Sequence, residues 1–364
     1  MADINDTAFA PGEYIRDEIE ARGWTQEALA HILGRPLRTV NLIISGKAGI
    51  TPQTAQELAA AFGTSAEMWM NLESAYRLAL EKKGQDDVAR RAALYERAPV
   101  RDMIRRKWID EFESVEKMEG AVDDFFSTPL AAAARMSTSY DEVTPGLKAW
   151  LSRAAALAGS VAANPYSKQK ALTLIPDLHA LTSDAQEVRR VPAVLAEMGI
   201  RFVLLEHLPR TRIDGAAIWL PDDQPAIAIS LRYDRIDCFW HTLFHEVSHV
   251  LHEERSIDND LIGPNKLDPD KVSEVEKRAD RDACNFLIPP DKLRSFIIRH
   301  RPRFSKVNII RFAGLHGIHP GIVVGQLQHS GAIQYSHSRE MLVPVRDLLA
   351  DAAMTDGWGH YPGI

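Results

Sequence analysis

The segment FWHTLFHEVSHVLHEE, residues 239–254, combines two histidines at helical spacing with an almost continuous apolar background. On an α-helix, residues four apart lie about 40° apart around the axis and roughly 6 Å apart along it. His245 and His249 can therefore converge on one tetrahedral metal ion, while Glu246 points to the side, within reach of a water at the metal. The spacing predicts a buried helix with a zinc site. A helix that buries histidines without a metal is the alternative, so a third ligand is needed.

A second segment, residues 272–290, places Glu276 and Asp280 four residues apart on a predicted helix. This is the Glu-x-x-x-Asp spacing of the gluzincins, in which the glutamate ligates zinc and the aspartate accepts a hydrogen bond from the first histidine. Glu274 is the rival carboxylate, but Arg278 stands four residues after it and cannot accept that hydrogen bond. We therefore predict Glu276 as the third ligand and Asp280 as its supporting residue. The alternative is a solvated, charged helix face.

Residues 13–80 have the pattern of consecutive short helices separated by capping residues and glycines. Two short helices joined by a Gly-containing turn, with exposed polar residues on the second, are typical of a helix-turn-helix. A small helical bundle that does not bind nucleic acid is the alternative. The predicted N-caps are Thr25 and Thr51, and the predicted terminating residues are Gly23, Gly34, Gly46 and Gly63.

Residues 10–80 resemble the HigA-type branch of the lambda-repressor-like helix-turn-helix family. The likeness includes the Thr-Gln opening of the segment TQEALAHILG, the Ser45-Gly46-Lys47 turn, the run Phe62-Gly63-Thr64-Ser65 and Trp69. The resemblance implies an all-helical domain that contacts DNA.

A local excess of positive charge supports that expectation, although the whole chain has a formal net charge of −7. Residues 28–56 contain no Asp or Glu. In the helix-turn-helix fold, Arg38 and Asn41 would enter the major groove, where Arg reads guanine and Asn reads adenine. The other predicted DNA contacts are Arg35 and Lys47 near the phosphates, and Gln26 at the start of the first helix.

The sequence pattern changes near residue 191. The stretch before it is predicted to be helical, and its basic run 101–107 is interpreted as a solvated face. The segment VPAVLAEMG predicts a short helix and IRFVLLEHL a strand, while apolar runs on both sides of DDQP predict a hairpin. The predicted fold class is α+β. The predicted parts are a helix-turn-helix domain (1–80), a helical connector (81–190), a zincin-like domain (191–335) and a C-terminal tail (336–364).

Residues 191–335 resemble the ImmA/IrrE family of zinc-dependent peptidases. The likeness lies in DGAAIWL, PAIAIS, FWHTLFHEVSHVLH, EKRADRDACNFLIP and GIHPGIVVGQLQHSG. The resemblance implies a zincin-like domain, with a small twisted sheet and an active-site helix, that binds zinc through His245, His249 and Glu276. Members of the family are linked to cleavage of a DNA-bound repressor, and fusions to a helix-turn-helix domain are known.

The implied mechanism assigns Glu246 the proton transfers of peptide hydrolysis. Glu246 takes the proton of the attacking water, which zinc acidifies, and returns it to the leaving amine. The oxyanion needs a second donor besides zinc. Candidates are His316, His319, His329 and Tyr335, although a core or helix-end role is favoured for each.

The first functional hypothesis is a cytoplasmic transcriptional regulator with a zinc metallopeptidase domain that cleaves a repressor-like protein or its own chain. The second is a HigA-like antitoxin or repressor whose zinc domain senses a partner or ligand. The third is a peptidase whose N-terminal helices only recruit substrate. The expected partners are a DNA operator and either a protein substrate or a partner toxin, with a homodimer as an option. The N-terminus lacks an apolar leader segment and no apolar run is long enough to span a bilayer, so no membrane is expected.

Overall fold

Two of the N-terminal helices begin at the predicted capping threonines and end at the predicted glycines. Thr25 Oγ1 accepts a hydrogen bond from the Ala28 amide, and Thr51 Oγ1 accepts one from the Thr54 amide. Gly34 and Gly63 end their helices in the left-handed conformation, at φ 62° and 72°. The helices are α1 (Pro11–Ala21), α2 (Gln26–Leu33), α3 (Leu37–Ile44), α4 (Pro52–Phe62) and α5 (Ala66–Leu80).

The chain divides into two compact units, Met1–Ala93 and Leu94–Ile364. In this computed structural model, the described residues are 9–80, 82–127, 144–254, 256–259 and 273–362. The core of the first unit is built from aliphatic residues of α1–α4 around the fully buried Trp69, whose indole donates to Thr64 Oγ1 at 2.8 Å. The sequence predicts a boundary at residue 80, whereas the first unit ends at Ala93, inside helix α6 (Lys82–Arg97).

The second unit contains the remaining helices and a sheet. Within the described residues, no single helix is long and apolar enough to cross a membrane, although the pair Lys306–Leu315 and Pro320–His329, bent by 109°, passes that test together. The helices are α7 (Val100–Arg105), α8 (Val115–Ser127), α9 (Pro145–Gly159), α10 (Lys168–Ala180), α11 (Val191–Met198), α12 (Ile236–Leu251), α13 (Glu274–Leu287), α14 (Pro290–His300), α15 (Lys306–Leu315), α16 (Pro320–His329) and α17 (Arg346–Ala350).

The sheet is mixed and has the strand order β4-β2-β3-β1-β5. The predicted hairpin is confirmed: β2 and β3 are antiparallel and are joined by the turn Pro221–Asp223. Strand β1 runs parallel to both β3 and β5, while β4 is antiparallel to β2. The strands are β1 (Arg201–Leu205), β2 (Ile213–Leu220), β3 (Gln224–Ile229), β4 (Ser256–Asn259) and β5 (Met354–Asp356).

Both faces of the sheet are buried, which explains why its central strands are continuous apolar runs rather than alternating ones. On β1, Phe202 and Leu204 belong to the apolar cluster that contains α12, whereas Val203 and Leu205 belong to a second cluster that contains α9. The sheet is therefore a middle layer, and α12 is enclosed between this layer and the helices that follow it.

Two stretches outside residues 191–335 are integral to this unit. Helix α9 lies in the predicted connector, yet Trp150 is fully buried and donates to the Leu205 carbonyl at 3.2 Å. The stretch 336–364, predicted as a tail, contributes the edge strand β5. Three residues are too few to show a strand period in the sequence, and only pairing with β1 defines the strand.

One residue of the basic run 101–107 departs from the predicted solvated face. Arg106 is only 6% exposed, and its guanidinium donates to the backbone carbonyls of Glu206 and His207, each at 2.8 Å. Burial lowers the pKa of Arg106. The interpretation of the run as a uniformly solvated face was wrong at this residue, because a distant loop supplies its partners.

The C-terminal strand is anchored by a buried ion pair. Arg153 Nε donates to Asp356 Oδ2 at 2.6 Å, and Trp108 Nε1 donates to the same oxygen at 3.0 Å. The side chains of Arg153 and Asp356 are 8% and 0% exposed. Burial raises the pKa of Asp356 in spite of the arginine beside it. The pair therefore joins α9 to β5 at the cost of desolvating two charges.

We expect Arg153→Met to lower the free energy of unfolding by about 3–5 kcal/mol at neutral pH, because it leaves a buried carboxylate without its counter-ion. The double variant Arg153→Met/Asp356→Leu should recover most of that loss, and denaturant unfolding measures both. Because burial raises the pKa of Asp356 in the folded state above its unfolded value, protonation of Asp356 favours folding. The loss of unfolding free energy in the single variant should therefore shrink as the pH falls through that folded-state pKa. Equal losses in the single and double variants would contradict the assignment.

Candidate nucleic-acid interface and candidate metal centre

Helices α2 and α3 form the helix-turn-helix, and α3 presents its polar side outward. Val40, Ile43 and Ile44 are buried in the core of the first unit. Arg38 and Asn41, which lie between these positions in the helical repeat, are exposed. The structure thus brings the two predicted base-reading side chains to the free face of the second helix.

The other predicted DNA-contacting residues differ in their surroundings. Lys47 is exposed in the turn after α3, and Gln26 is half-buried at the first position of α2. Arg35 Nε donates to Glu57 Oε2 at 2.5 Å, and this hydrogen bond holds the pKa of Glu57 below its usual value. Glu57 is the first acidic residue after the acid-free span 28–56 and neutralises part of its charge. A phosphate contact by Arg35 stays a prediction.

The histidine helix α12 is buried along almost its whole length, including its polar residues. His245, Glu246 and His249 are each 0% exposed. The spacing of four residues turns both imidazoles to the same side, and their Nε2 atoms lie 3.0 Å apart. The predicted helix is confirmed, and its two histidines face one point.

The third predicted ligand joins the two histidines across a long separation in sequence. Glu276 Oε2 lies 3.1 Å from His245 Nε2 and 3.6 Å from His249 Nε2. Within the described part of the chain, these residues form the one group of His, Cys and carboxylate side chains close enough to hold a metal ion, with all three ligand atoms within 4.8 Å of one another. Two imidazole nitrogens and one carboxylate oxygen can therefore bind a single cation.

Helix α13 carries the third predicted ligand and is joined to α12 by polar contacts. The Ser273 side chain caps the first turn of α13 by accepting a hydrogen bond from the Glu276 backbone amide. Asp280 Oδ1 lies 3.1 Å from His245 Nδ1, where sequence analysis placed it. Two residues further along α13, Asp282 Oδ2 accepts a hydrogen bond from Ser248 Oγ at 2.8 Å and lies 3.1 Å from His252 Nε2. Asp282 therefore joins the two helices.

Glu254 is a functional candidate that the sequence analysis missed. Its Oε2 lies 3.2 Å from His249 Nδ1, so it holds the second histidine as Asp280 holds the first. Arg278 forms an ion pair with the other oxygen of Glu254. The backbone carbonyl of Glu254 accepts from Trp219 Nε1 at 2.9 Å. Glu254 follows the end of α12, where the chain leaves the helical repeat, so spacing could not assign it to the site.

The position of Glu246 depends on a glycine in the sheet. A Cβ atom at Gly215 would overlap the Glu246 carboxylate and lie 2.8 Å from Thr242 Cγ2. Gly215 thus lets β2 run directly beside the carboxylate and fixes where it can lie. The Gly in the sequence DGAAIWL is the signal for this close approach.

The four candidates for a second oxyanion donor lie in different places. His319 caps α16 by accepting the Gly321 amide, and His316 packs on Phe312 with ring centroids 4.5 Å apart. Burial lowers the pKa of both histidines. The His329 ring stacks 6.1 Å from His241, whose ring is 6.3 Å from that of His245. Tyr335 is 49% exposed, and its backbone carbonyl accepts from Gln328. His329 is therefore the candidate that the ring contacts connect to the predicted ligand His245.

A known protein family matches a segment of the first unit. Residues 15–69 match the family described as Helix-turn-helix. Virulence-associated protein I of Dichelobacter nodosus is 33% identical over 82 residues, which cover 22% of this chain and 76% of that protein. The chain belongs to the helix-turn-helix family.

Three further similar proteins match about the same share of this chain. An uncharacterized HTH-type transcriptional regulator, YddM of Escherichia coli (strain K12), is 30% identical over 76 residues, or 21% of this chain and 81% of that protein. Among solved structures, an addiction module antidote protein of a HigA family from Coxiella burnetii is 34% identical, covers 22% of this chain and 87% of its own, and has a TM-score of 0.21. The antitoxin GraA is 31% identical, with coverages of 22% and 89% and a TM-score of 0.22.

This helix-turn-helix unit is a DNA-binding domain of the kind found in transcriptional regulators. The family match ends at residue 69, within the first unit.

We expect Arg38→Ala to weaken binding to the preferred operator by about 1–3 kcal/mol and to relax one base position. Lys47→Ala should weaken binding to all sequences similarly and flatten its salt dependence. Fluorescence anisotropy on DNA from upstream of the gene measures both, with Arg77→Ala on α5, an arginine paired with Glu73, as the control. If the wild-type protein does not bind this DNA at low salt, the operator assignment is wrong.

Proposed function

We propose that this DNA-binding regulator carries a zinc-dependent metallo-endopeptidase in its second unit, and that the peptidase cleaves a repressor-like protein or the chain itself. The observation that carries the proposal is the convergence of His245, His249 and Glu276. It is supported by the resemblance of residues 191–335 to the ImmA/IrrE peptidases.

The donor set fits zinc in both chemistry and size. Zinc binds imidazole nitrogen and carboxylate oxygen at roughly 2.0–2.2 Å, and catalytic sites pair three protein ligands with an open fourth position. Atoms at that radius around a tetrahedral ion lie roughly 3.3 Å from one another. The three separations here are 3.0, 3.1 and 3.6 Å. His245, His249 and Glu276 would therefore hold the ion with little rearrangement.

The supporting carboxylates explain how the ligands are kept in position. A carboxylate on the far nitrogen of a ligating histidine fixes the tautomer and makes the ring a better donor. Asp280 does this for His245 and Glu254 for His249. Because Arg278 pairs with Glu254, the second contact is itself held in place.

Catalysis requires a group that moves protons, and Glu246 has the position for it. When bound, zinc supplies Lewis acidity, which polarises a peptide carbonyl and acidifies water. Glu246 is adjacent to His245 in sequence, belongs to neither the ligand group nor its supporting carboxylates, and is held against Gly215. It accepts the proton of the attacking water and delivers it to the leaving amine. The enclosed location of Glu246 keeps competing bulk water away from the proton.

We expect the purified protein to contain about one zinc per chain and His245→Ala to lose most of it. Glu254→Gln and Asp280→Ala should each weaken zinc affinity by roughly 10- to 100-fold, because each releases one histidine ring. Glu274→Gln is the matched control, since Glu274 is on the same helix and pairs with Lys277. Competition with a chromophoric chelator measures the affinities. A full equivalent of zinc in the double variant His245→Ala/His249→Ala would overturn the ligand assignment.

The variant Glu246→Gln separates a peptidase from a sensor. It should keep zinc content, folding and DNA binding, while cleavage of the target falls at least ~100-fold because an amide cannot accept the proton. The assay incubates purified protein with repressors encoded beside its gene and identifies the cut by mass spectrometry. Normal gene regulation by this zinc-loaded variant in cells would favour the second candidate, a HigA-like repressor whose zinc domain senses a partner or ligand.

A further inference from the structure

A cleft of about 600 Å³ opens at the end of the sheet where β2 turns into β3. It lies beyond the C-terminal end of α12 and is distinct from the metal centre, since neither the three ligands nor Glu246 line it. Its volume is in the range of sites that bind small molecules. The cleft is lined by residues that include Tyr166, Arg201, Trp219, Asp222, Gln224 and Glu253.

The aromatic wall of the cleft is fixed by hydrogen bonds. The Tyr166 hydroxyl donates to the Val250 carbonyl at 3.0 Å, and its ring meets Trp219 edge-on with centroids 5.6 Å apart. Burial raises the pKa of Tyr166 to about 12, so the phenol remains a neutral donor. Trp219 is itself held by the Glu254 carbonyl. The cleft thus has a rigid apolar side that exists before any ligand binds.

The backbone beneath Tyr166 is also held tightly. The Asn164 amide donates to the Ala196 carbonyl at 3.0 Å, and a Cβ atom at Gly199 would lie 2.5 Å from Tyr166 Cα. The turn between α11 and β1 is therefore packed directly on the segment that forms the wall.

Arg201, the first residue of β1, is the unusual group in this cleft. Its Nε atom is buried and has no hydrogen-bond partner among the residues that the structure describes. No described carboxylate lies within ion-pair distance of its guanidinium either. A partly buried guanidinium without a partner is costly, and a carboxylate that binds it through two parallel hydrogen bonds offsets that cost.

The rim of the cleft has the opposite charge. Asp222, Asp223 and Glu253 are all exposed along it. Asp222 and Asp223 have positive φ angles of 61° and 54° in the turn that closes the hairpin. A ligand bound to Arg201 through a carboxylate would thus meet an acidic rim that suits an ammonium group, with the two aromatic rings beside its side chain.

We propose that this cleft binds a small zwitterion, that is, a free amino acid or dipeptide with an α-ammonium group, a carboxylate and an apolar or aromatic side chain. Arg201 takes the carboxylate, the acidic rim takes the ammonium group, and Trp219 and Tyr166 contact the side chain. Binding at this cleft does not depend on the metal centre.

Calorimetry on the full-length protein tests the proposal with L-phenylalanine, L-leucine and the dipeptide Leu-Phe. We expect each zwitterion to bind at least tenfold more tightly than its N-acetyl derivative, which lacks the ammonium group, and than its carboxamide, which lacks the carboxylate. Measurement before and after removal of metal by a chelator should give the same affinity, which separates this site from the proposed peptidase.

Variants assign the two charges to residues. Arg201→Gln should abolish the preference for the free carboxylate over the carboxamide, and Glu253→Gln should reduce the preference for the free ammonium group. Arg294→Gln, on an exposed arginine of α14, is the matched control and should change neither. Absence of binding by all three zwitterions to the wild-type protein overturns the proposal, as does equal binding of the charged and capped ligands. The comparison of charged and capped ligands on the wild-type protein tests the proposal even if Arg201→Gln does not fold.

Discussion

The second unit depends on the burial of helix α12 between the sheet and the helices that follow it. Fifteen of its sixteen residues are buried, and they include Asp237, Thr242, His245, Glu246, Ser248 and His249. Apolar burial places the helix, but polar groups taken out of water need partners. Much of the surrounding architecture supplies those partners. Arg235 donates to the carboxylate of Asp237, and helix α13 brings carboxylates to the histidines and to Ser248.

The need to pair the buried polar groups of α12 links the stability of the fold to its chemistry. Asp280, Asp282 and Glu254 each contact a polar side chain of α12 or its C-terminal turn, and Arg278 pairs with Glu254. These contacts set the position of α13 along α12 and hence the distance from Glu276 to the two imidazoles. The residues that satisfy buried polar groups are thus the same residues that would orient the ligands of a metal ion.

The two units differ in which polar groups they expose and which they bury. The first leaves the polar side of α3 exposed and keeps residues 28–56 free of acidic side chains, as binding to a polyanion requires. The second unit encloses His245, Glu246 and His249 away from water, where electrostatic interactions are stronger.

Features that depend on neighbouring residues could be predicted from the sequence. Thr25, Thr51 and the terminating glycines act within one helical turn, and the spacing of His245 and His249 is a property of one helix. The β2–β3 hairpin is similarly local. Glu276 and Asp280 could be assigned because both lie on one helix at a spacing with a chemical meaning.

Tertiary structure decided the features that join distant segments. The pairing of Asp356 with Arg153, the burial of Arg106 and the role of Glu254 depend on partners that are far apart in sequence or outside a repeating element. Strand β5 is too short to carry a period, and it is a strand because β1 offers it unpaired backbone groups. The cleft at Arg201 is made by four separate segments. Local sequence sets how a segment folds, whereas the partners of its buried charges are set only when the whole chain packs.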